Sequence, residues 1–230
     1  MKDFELMLAP MENHSGPEVR ELCYNNGADS TFTEMAMIGK IARDNLSSLK
    51  KTQIPKPIPT YIQLIGSNEK DLKEYLNKFV PTKGFLGFNL NLGCPSPEVI
   101  RKGFGCALIK RISKIQRLIK IIKDHGYSAS IKLRLGMNQF EKEKKTYLNL
   151  IREVDADFFI VHARHGKETQ NNTADFEIYK ACVNTGKEII ANGDIETKEQ
   201  IEFLKSIGVK GAMIGRAASK DPTIFNKLKS

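Results

Sequence analysis

The sequence predicts one α/β domain folded as a (β/α)8 barrel, and three observations predict it. Short apolar runs alternate with longer amphipathic stretches eight times, no Pro/Ser/Gly-rich linker divides the 230 residues, and polar residue types gather just past each apolar run. Alternation of this kind implies a parallel sheet, and eight rounds in this length suit a closed barrel. A doubly wound open sheet is the alternative that the same alternation permits.

The elements follow in order. The apolar runs at 5–9, 29–33, 60–65, 85–90, 128–133, 158–161, 188–191 and 211–214 are the predicted strands. Amphipathic stretches at 17–26, 68–79, 113–125, 138–154, 175–185, 197–207 and 222–229 are the predicted helices, and the helix after the second strand is only weakly signalled, within 38–49. The proline cluster at 54–59 sits directly before a strand and reads as a stiff connection inside the domain. In the stretch 114–123 cations recur at helical spacing against an Ile/Leu stripe, so a helix with a basic outer face is expected beside the loop that follows the fourth strand.

Composition excludes several classes. No apolar run approaches the roughly 20 residues of a membrane helix, and residues 1–5 lack the basic and apolar regions of a signal peptide, so a cytoplasmic protein without a membrane partner is expected. Cys23, Cys94, Cys106 and Cys182 form no C-x-x-C pair, which fits free thiols and argues against a zinc cage. The formal charge is +9, and eight basic residues with no acidic one lie between Arg101 and Lys123. Such a bias suits a polyanionic partner, because a basic surface attracts nucleic acid backbone irrespective of base sequence.

Barrel enzymes keep their chemistry at the carboxyl ends of the strands. Here those ends carry Ala9-Pro10-Met11, Thr33-Glu34-Met35, Gln63 with Gly66, Asn91 with Cys94, Lys132 with Arg134, His162 with Arg164, Asn192-Gly193-Asp194, and Gly215-Arg216. Cations, an imidazole, amides and a thiol thus converge on one rim. Cys94 stands between Gly93 and Pro95, a frame that packing does not require, and Gly103 and Gly105 give the following loop backbone freedom, so a mobile loop presenting a thiol is expected.

The glycines after strands seven and eight, with Arg216, suit a phosphate. No Gly-Lys pair is followed by Ser or Thr, so no nucleoside triphosphate loop occurs, and no G-x-G-x-x-G follows a strand. His162 and His165 lack the carboxylate pattern of a metal site. Flavin mononucleotide (FMN) meets these constraints: one phosphate, and a ring whose reduced form carries negative charge that Lys132 would offset. A thiol with its ordinary pKa of about 8.5 is largely protonated at neutral pH and can hand over a proton.

Together the segments at 8–11, 27–35, 63–67, 91–95, 132–136, 161–164, 192–195 and 214–217 resemble the tRNA-dihydrouridine synthases, in order and across essentially the whole chain. The resemblance implies a TIM barrel holding FMN that reduces the uridine C5–C6 double bond in tRNA, with NADPH reducing the flavin. It implies that Cys94 is the catalytic proton donor and that Asn91 contacts flavin or uracil. Ala9, Pro10, Met11, Gln63, Lys132 and His162 correspond to cofactor-binding positions around the ring. Asn192, Gly193, Asp194, Gly215 and Arg216 correspond to those on the phosphate side, and Arg134 and Arg164 to substrate contacts.

Departures are visible too. The family's C-terminal helical RNA-binding domain is not expected within residues 1–230, since the sequence stops right after the eighth helix. Residues 12–16 differ from the small residues usual after the Met, and His165 stands where Thr is common. Two other functions fit the same residues: a flavin barrel acting on a free pyrimidine, as dihydroorotate dehydrogenases do, and an RNA-binding barrel without activity.

Overall fold

The computed structural model describes residues 4–229. Nine strands form one parallel sheet: β1 (Glu5–Leu8), β2 (Thr31–Phe32), β3 (Ala36–Met37), β4 (Thr60–Ile65), β5 (Phe85–Leu92), β6 (Ala129–Arg134), β7 (Phe159–His162), β8 (Ile189–Asn192) and β9 (Gly211–Ile214). Their order is β1-β9-β8-β7-β6-β5-β4-β2, with β3 also on β4. A bridge from Met7 to Ser30 and a bond from the Leu8 amide to the Ser30 carbonyl at 3.0 Å tie β1 to the segment entering β2, so the sheet closes into the expected barrel.

Helices cover the outside: α1 (Pro17–Asn25), α2 (Ile38–Ile41), α3 (Leu46–Lys50), α4 (Glu69–Lys78), α5 (Pro97–Arg101), α6 (Ile112–Asp124), α7 (Gln139–Glu143), α8 (Thr146–Glu153), α9 (Ile178–Val183), α10 (Lys198–Ser206), α11 (Arg216–Lys220) and α12 (Ile224–Lys229). Strand periodicity divides the apolar residues into two cores. Met7, Phe32, Tyr61, Phe158, Ile160, Ile190 and Met213 fill the barrel interior. Residues such as Leu64, Leu90, Leu133 and Val161 face outward into a larger core beneath the helices.

Three elements differ from expectation. The second barrel strand is split into β2 and β3 because the Thr33 hydroxyl takes the ladder bond of the Gln63 amide at 3.0 Å, a side chain competing with backbone pairing. The weak helix at 38–49 is two, broken at Asp44, which has φ 54°, and restarted by Asn45, whose side chain caps the Ser48 amide. The long helix at 138–154 breaks at Lys145, φ 52°, so that Tyr147, Leu148, Leu150 and Ile151 of α8 reach the core.

The basic face of α6 also needs correction. Ile115, Leu118, Ile119 and Ile122 pack inward as predicted, but the cations are not free. Arg117 pairs with Glu69 of α4 at 2.7 Å, Lys120 with Asp124, and Lys123 with both Asp155 and Asp157 just before β7. Arg117 and Lys123 thus take acidic partners from outside the helix, and Lys120 takes one from within it. Among the described residues no helix is long and apolar enough to cross a membrane.

Candidate active site

Period-two alternation turns Gln63 of β4, Asn89 and Asn91 of β5, Ser130, Lys132 and Arg134 of β6, His162 of β7 and Asn192 of β8 toward the barrel axis. Above the inner core Gln63, Asn91, Lys132, Arg134, His162 and Asn192 line two adjoining cavities of about 310 and 230 Å³ that share Pro10, Lys132, Arg134 and His162, with Asn89 and Ser130 buried beneath them. The shared residues make them one cleft.

The smaller cavity is built from amides. Gln63 Nε2 donates to Asn89 Oδ1 at 2.8 Å, Asn89 Nδ2 to Ser130 Oγ at 2.9 Å, and Asn91 Nδ2 to Gln63 Oε1 at 2.9 Å. Asn91 Oδ1 then accepts the amides of Gly93 and Cys94, each at 3.0 Å. Asn91 thereby fixes the turn that carries the thiol, and Cys94 is half-buried on the cavity wall. The loop is less free than its glycines suggest. The Cys106 amide donates to the Cys94 carbonyl at 3.2 Å, and at Gly105, φ 57°, a Cβ would lie 2.3 Å from that same carbonyl oxygen. Cys106 is buried, which pushes its thiol up to about 12, and its Sγ donates to the Gly93 carbonyl at 3.1 Å.

The larger cavity is cationic: Lys132, Arg134, Arg164 and Arg216 line it against Asp194 and Glu196. Lys132 points inward, not to solvent, and donates to Asn192 Oδ1 at 2.8 Å. Burial, reinforced by Arg134, lowers its ammonium to about 7. His162 is pushed down to about 2 by burial and then by Lys132 and the arginines, so its ring is neutral. Arg134 reaches past the rim to the carbonyls of His165 at 2.8 Å and Glu168 at 3.0 Å. Arg164 is 1% exposed, its donors taken by Asp194 and by the Asn172 carbonyl. Arg216 bonds Asp194 at 2.6 Å and Gln170 at 3.1 Å. Burial would raise the Asp194 carboxyl, but the Arg164 guanidinium outweighs it and holds the group below the usual carboxylate range.

Glycine lines the anion end for a steric reason. A Cβ on Gly193, φ 117°, would lie 2.9 Å from His162 Cδ2. Gly215 precedes α11 and leaves its backbone open beside Ala9 and Met11. Most residues singled out at the rim border the cleft, with Gln63, Asn91 and Cys94 at one end and Ala9, Met11, Asn192, Gly193, Asp194, Gly215 and Arg216 at the other, whereas Thr33, Glu34 and Gly66 do not line it. Sequence reasoning missed Asn89, Ser130 and Gln170. The first had a signal, since Asn89 and Asn91 alternate within an otherwise apolar strand. Among the described residues no group of three or more His, Cys, Asp or Glu could hold a metal ion.

The sequence model described as Dihydrouridine synthase (Dus) matches residues 7–230, and thus every strand end that lines this cleft. The chain belongs to the dihydrouridine synthase family. A probable tRNA-dihydrouridine synthase of Helicobacter pylori is 30% identical over 235 residues, covering 98% of this chain and 70% of that protein. One from Aquifex aeolicus is 26% identical over 242 residues, covering 99% and 73%. Two solved barrels share the fold alone. A 3-hexulose-6-phosphate synthase superposes with a TM-score of 0.59 at 14% identity, over 98% of this chain and 97% of that one. An N-(5'-phosphoribosyl)anthranilate isomerase from Pyrococcus furiosus gives 0.56 at 13%, over 98% of each. The cleft sets four cations against two carboxylates and exposes glycine backbone at the cationic end, a donor set that suits a phosphate-bearing ligand.

Proposed function

We propose that this protein is an oxidoreductase that reduces the C5–C6 double bond of uridine in RNA, tRNA by its family, using bound FMN and NADPH as reductant. One observation carries the reading: a single cleft joins an excess of positive charge at one end to a half-buried thiol at the other through Lys132, Arg134 and His162. When bound and reduced by NADPH, FMN would supply a hydride for C6. Gly193, Gly215 and Arg216 would hold its phosphate, and Lys132 would offset negative charge on its ring. Asn91 and Gln63 present amides to the ring or to uracil, while Asn91 also holds the turn that aims Cys94. Cys94 Sγ then gives its proton to C5, and Arg134 and Arg164 border the substrate side. Neutral His162 accepts from Arg164 at 3.3 Å, so it orients the guanidinium and adds no further charge.

The test begins with colour. Purified protein should be yellow, NADPH should bleach it, and RNA should speed its reoxidation. Cys94→Ala should keep the flavin and lose dihydrouridine in RNA mapped from cells against a deletion strain. Colourless protein that FMN cannot reconstitute would remove the reading.

A further inference from the structure

We propose that Tyr179 is a positioning residue for the cleft's inner cation, its hydroxyl fixing the end of β8 so that Asn192 holds the Lys132 ammonium in place. Tyr179 lies on α9 outside the barrel and is fully buried. Its ring needs only to be aromatic, meeting Phe176 edge-on at 5.7 Å. The hydroxyl is another matter, because a buried hydroxyl costs free energy unless it is bonded. Here the oxygen accepts the Asn192 amide at 2.9 Å, and its proton faces the Asn192 carbonyl at 2.8 Å and the Val161 carbonyl at 3.1 Å. Three backbone atoms at the carboxyl ends of β7 and β8 are thus held by one side-chain atom.

Asn192 passes the constraint inward. Its Nδ2 donates to the Met213 carbonyl of β9 at 2.8 Å, which leaves Oδ1 aimed across the barrel at Lys132 Nζ, also 2.8 Å away. The link runs from an outer helix through β8 to β6, and no other hydrogen bond of the Lys132 ammonium is seen among the described residues. Arg134 on β6, His162 on β7, Arg164 just past it, Arg216 after β9 and the thiols of Cys94 and Cys106 surround it, and the carboxylates of Glu12, Asp194 and Glu196 line the same cleft. None of these carboxylates bonds the ammonium, so the aligned amide oxygen of Asn192 is the acceptor that stabilises the charged form. The proposal rests on the reading that Lys132 meets the cofactor's anionic ring, but its test needs no flavin.

The pH dependence of Lys132 carbamylation by cyanate, which attacks the neutral amine, is read by mass spectrometry of the Lys132 peptide. The wild-type midpoint is expected near 7. In Tyr179→Phe it should fall by about half a pH unit, since a displaced acceptor no longer favours the ammonium. Tyr147→Phe removes the hydroxyl of another core tyrosine, outside the link, and should leave the midpoint in place. A midpoint in Tyr179→Phe that matches Tyr147→Phe overturns the proposal. Asn192→Ala reads the link from its other end and stands in if Tyr179→Phe does not fold. An unchanged midpoint there also overturns the proposal, and a larger fall than in Tyr179→Phe supports it. FMN titration of the same samples separates the outcomes, because failure to bind flavin would sink the functional reading without moving the Lys132 midpoint.

Discussion

The β4–β5 half of the cleft is made of amides and hydroxyls that satisfy one another, whereas the β6–β9 half gathers four cations around two carboxylates. In the first, Ser130, Asn89, Gln63 and Asn91 form one hydrogen-bonded chain that ends on the thiol turn. It holds the amides of Gln63 and Asn91 in place and so acts as their scaffold. In the second, Asp194 binds two arginines, and Lys132 is left with an amide oxygen alone and is pushed toward neutrality. Charge in excess of its partners is stored there for an anionic ligand, so the two halves differ in what they lack.

The division can be broken by substitution. Arg164→Met should have the largest effect, about 3 kcal/mol lost in urea unfolding, because removing one partner of a buried pair strands the other. Asp194 would keep Arg216, which holds the loss toward the low end of what buried pairs show. Asn89→Ala comes next, at about 2 kcal/mol, since it leaves Gln63 Nε2 without its acceptor and Ser130 Oγ without its donor in a dry interior. The same variant should hold FMN with unchanged affinity by fluorescence titration, and a tenfold weakening would mean that the amide half is no mere scaffold.

The smallest effect is on pH. The Lys132 ammonium in the folded protein lies well below its ordinary value, at about 7, so it is charged below that pH and neutral above it. The anionic ring of reduced FMN would stabilise the charged form, so affinity for reduced FMN should be full below pH 7 and decline as the pH rises through it, by about fivefold if one favourable ion pair is lost. Lys132→Met should flatten the decline, and an undiminished pH slope in that variant would assign the titration to another group.

Much of this site is legible in the order of residues along the chain. Each strand end is marked by a polar residue after an apolar run, and Cys94 stands out by its glycine and proline neighbours. The hidden parts share one cause. The acids that pair with Arg117 and Lys123 of α6 lie on α4 and before β7, the partner of Arg164 follows it by 30 residues, and Tyr179 stands in a helix where its aromatic ring reads as core. Hydroxyl bonds to backbone leave no pattern in composition or periodicity.

The sequence by itself determined the alternation of strands and helices and the residue types on the rim, because side-chain alternation and strand-to-helix rhythm are local properties. Only the tertiary structure decided which rim cations are paired and which are held near neutrality. Those properties depend on desolvation and on distances between residues such as Lys132 and Asn192, 60 positions apart in the chain and 2.8 Å apart in the cleft.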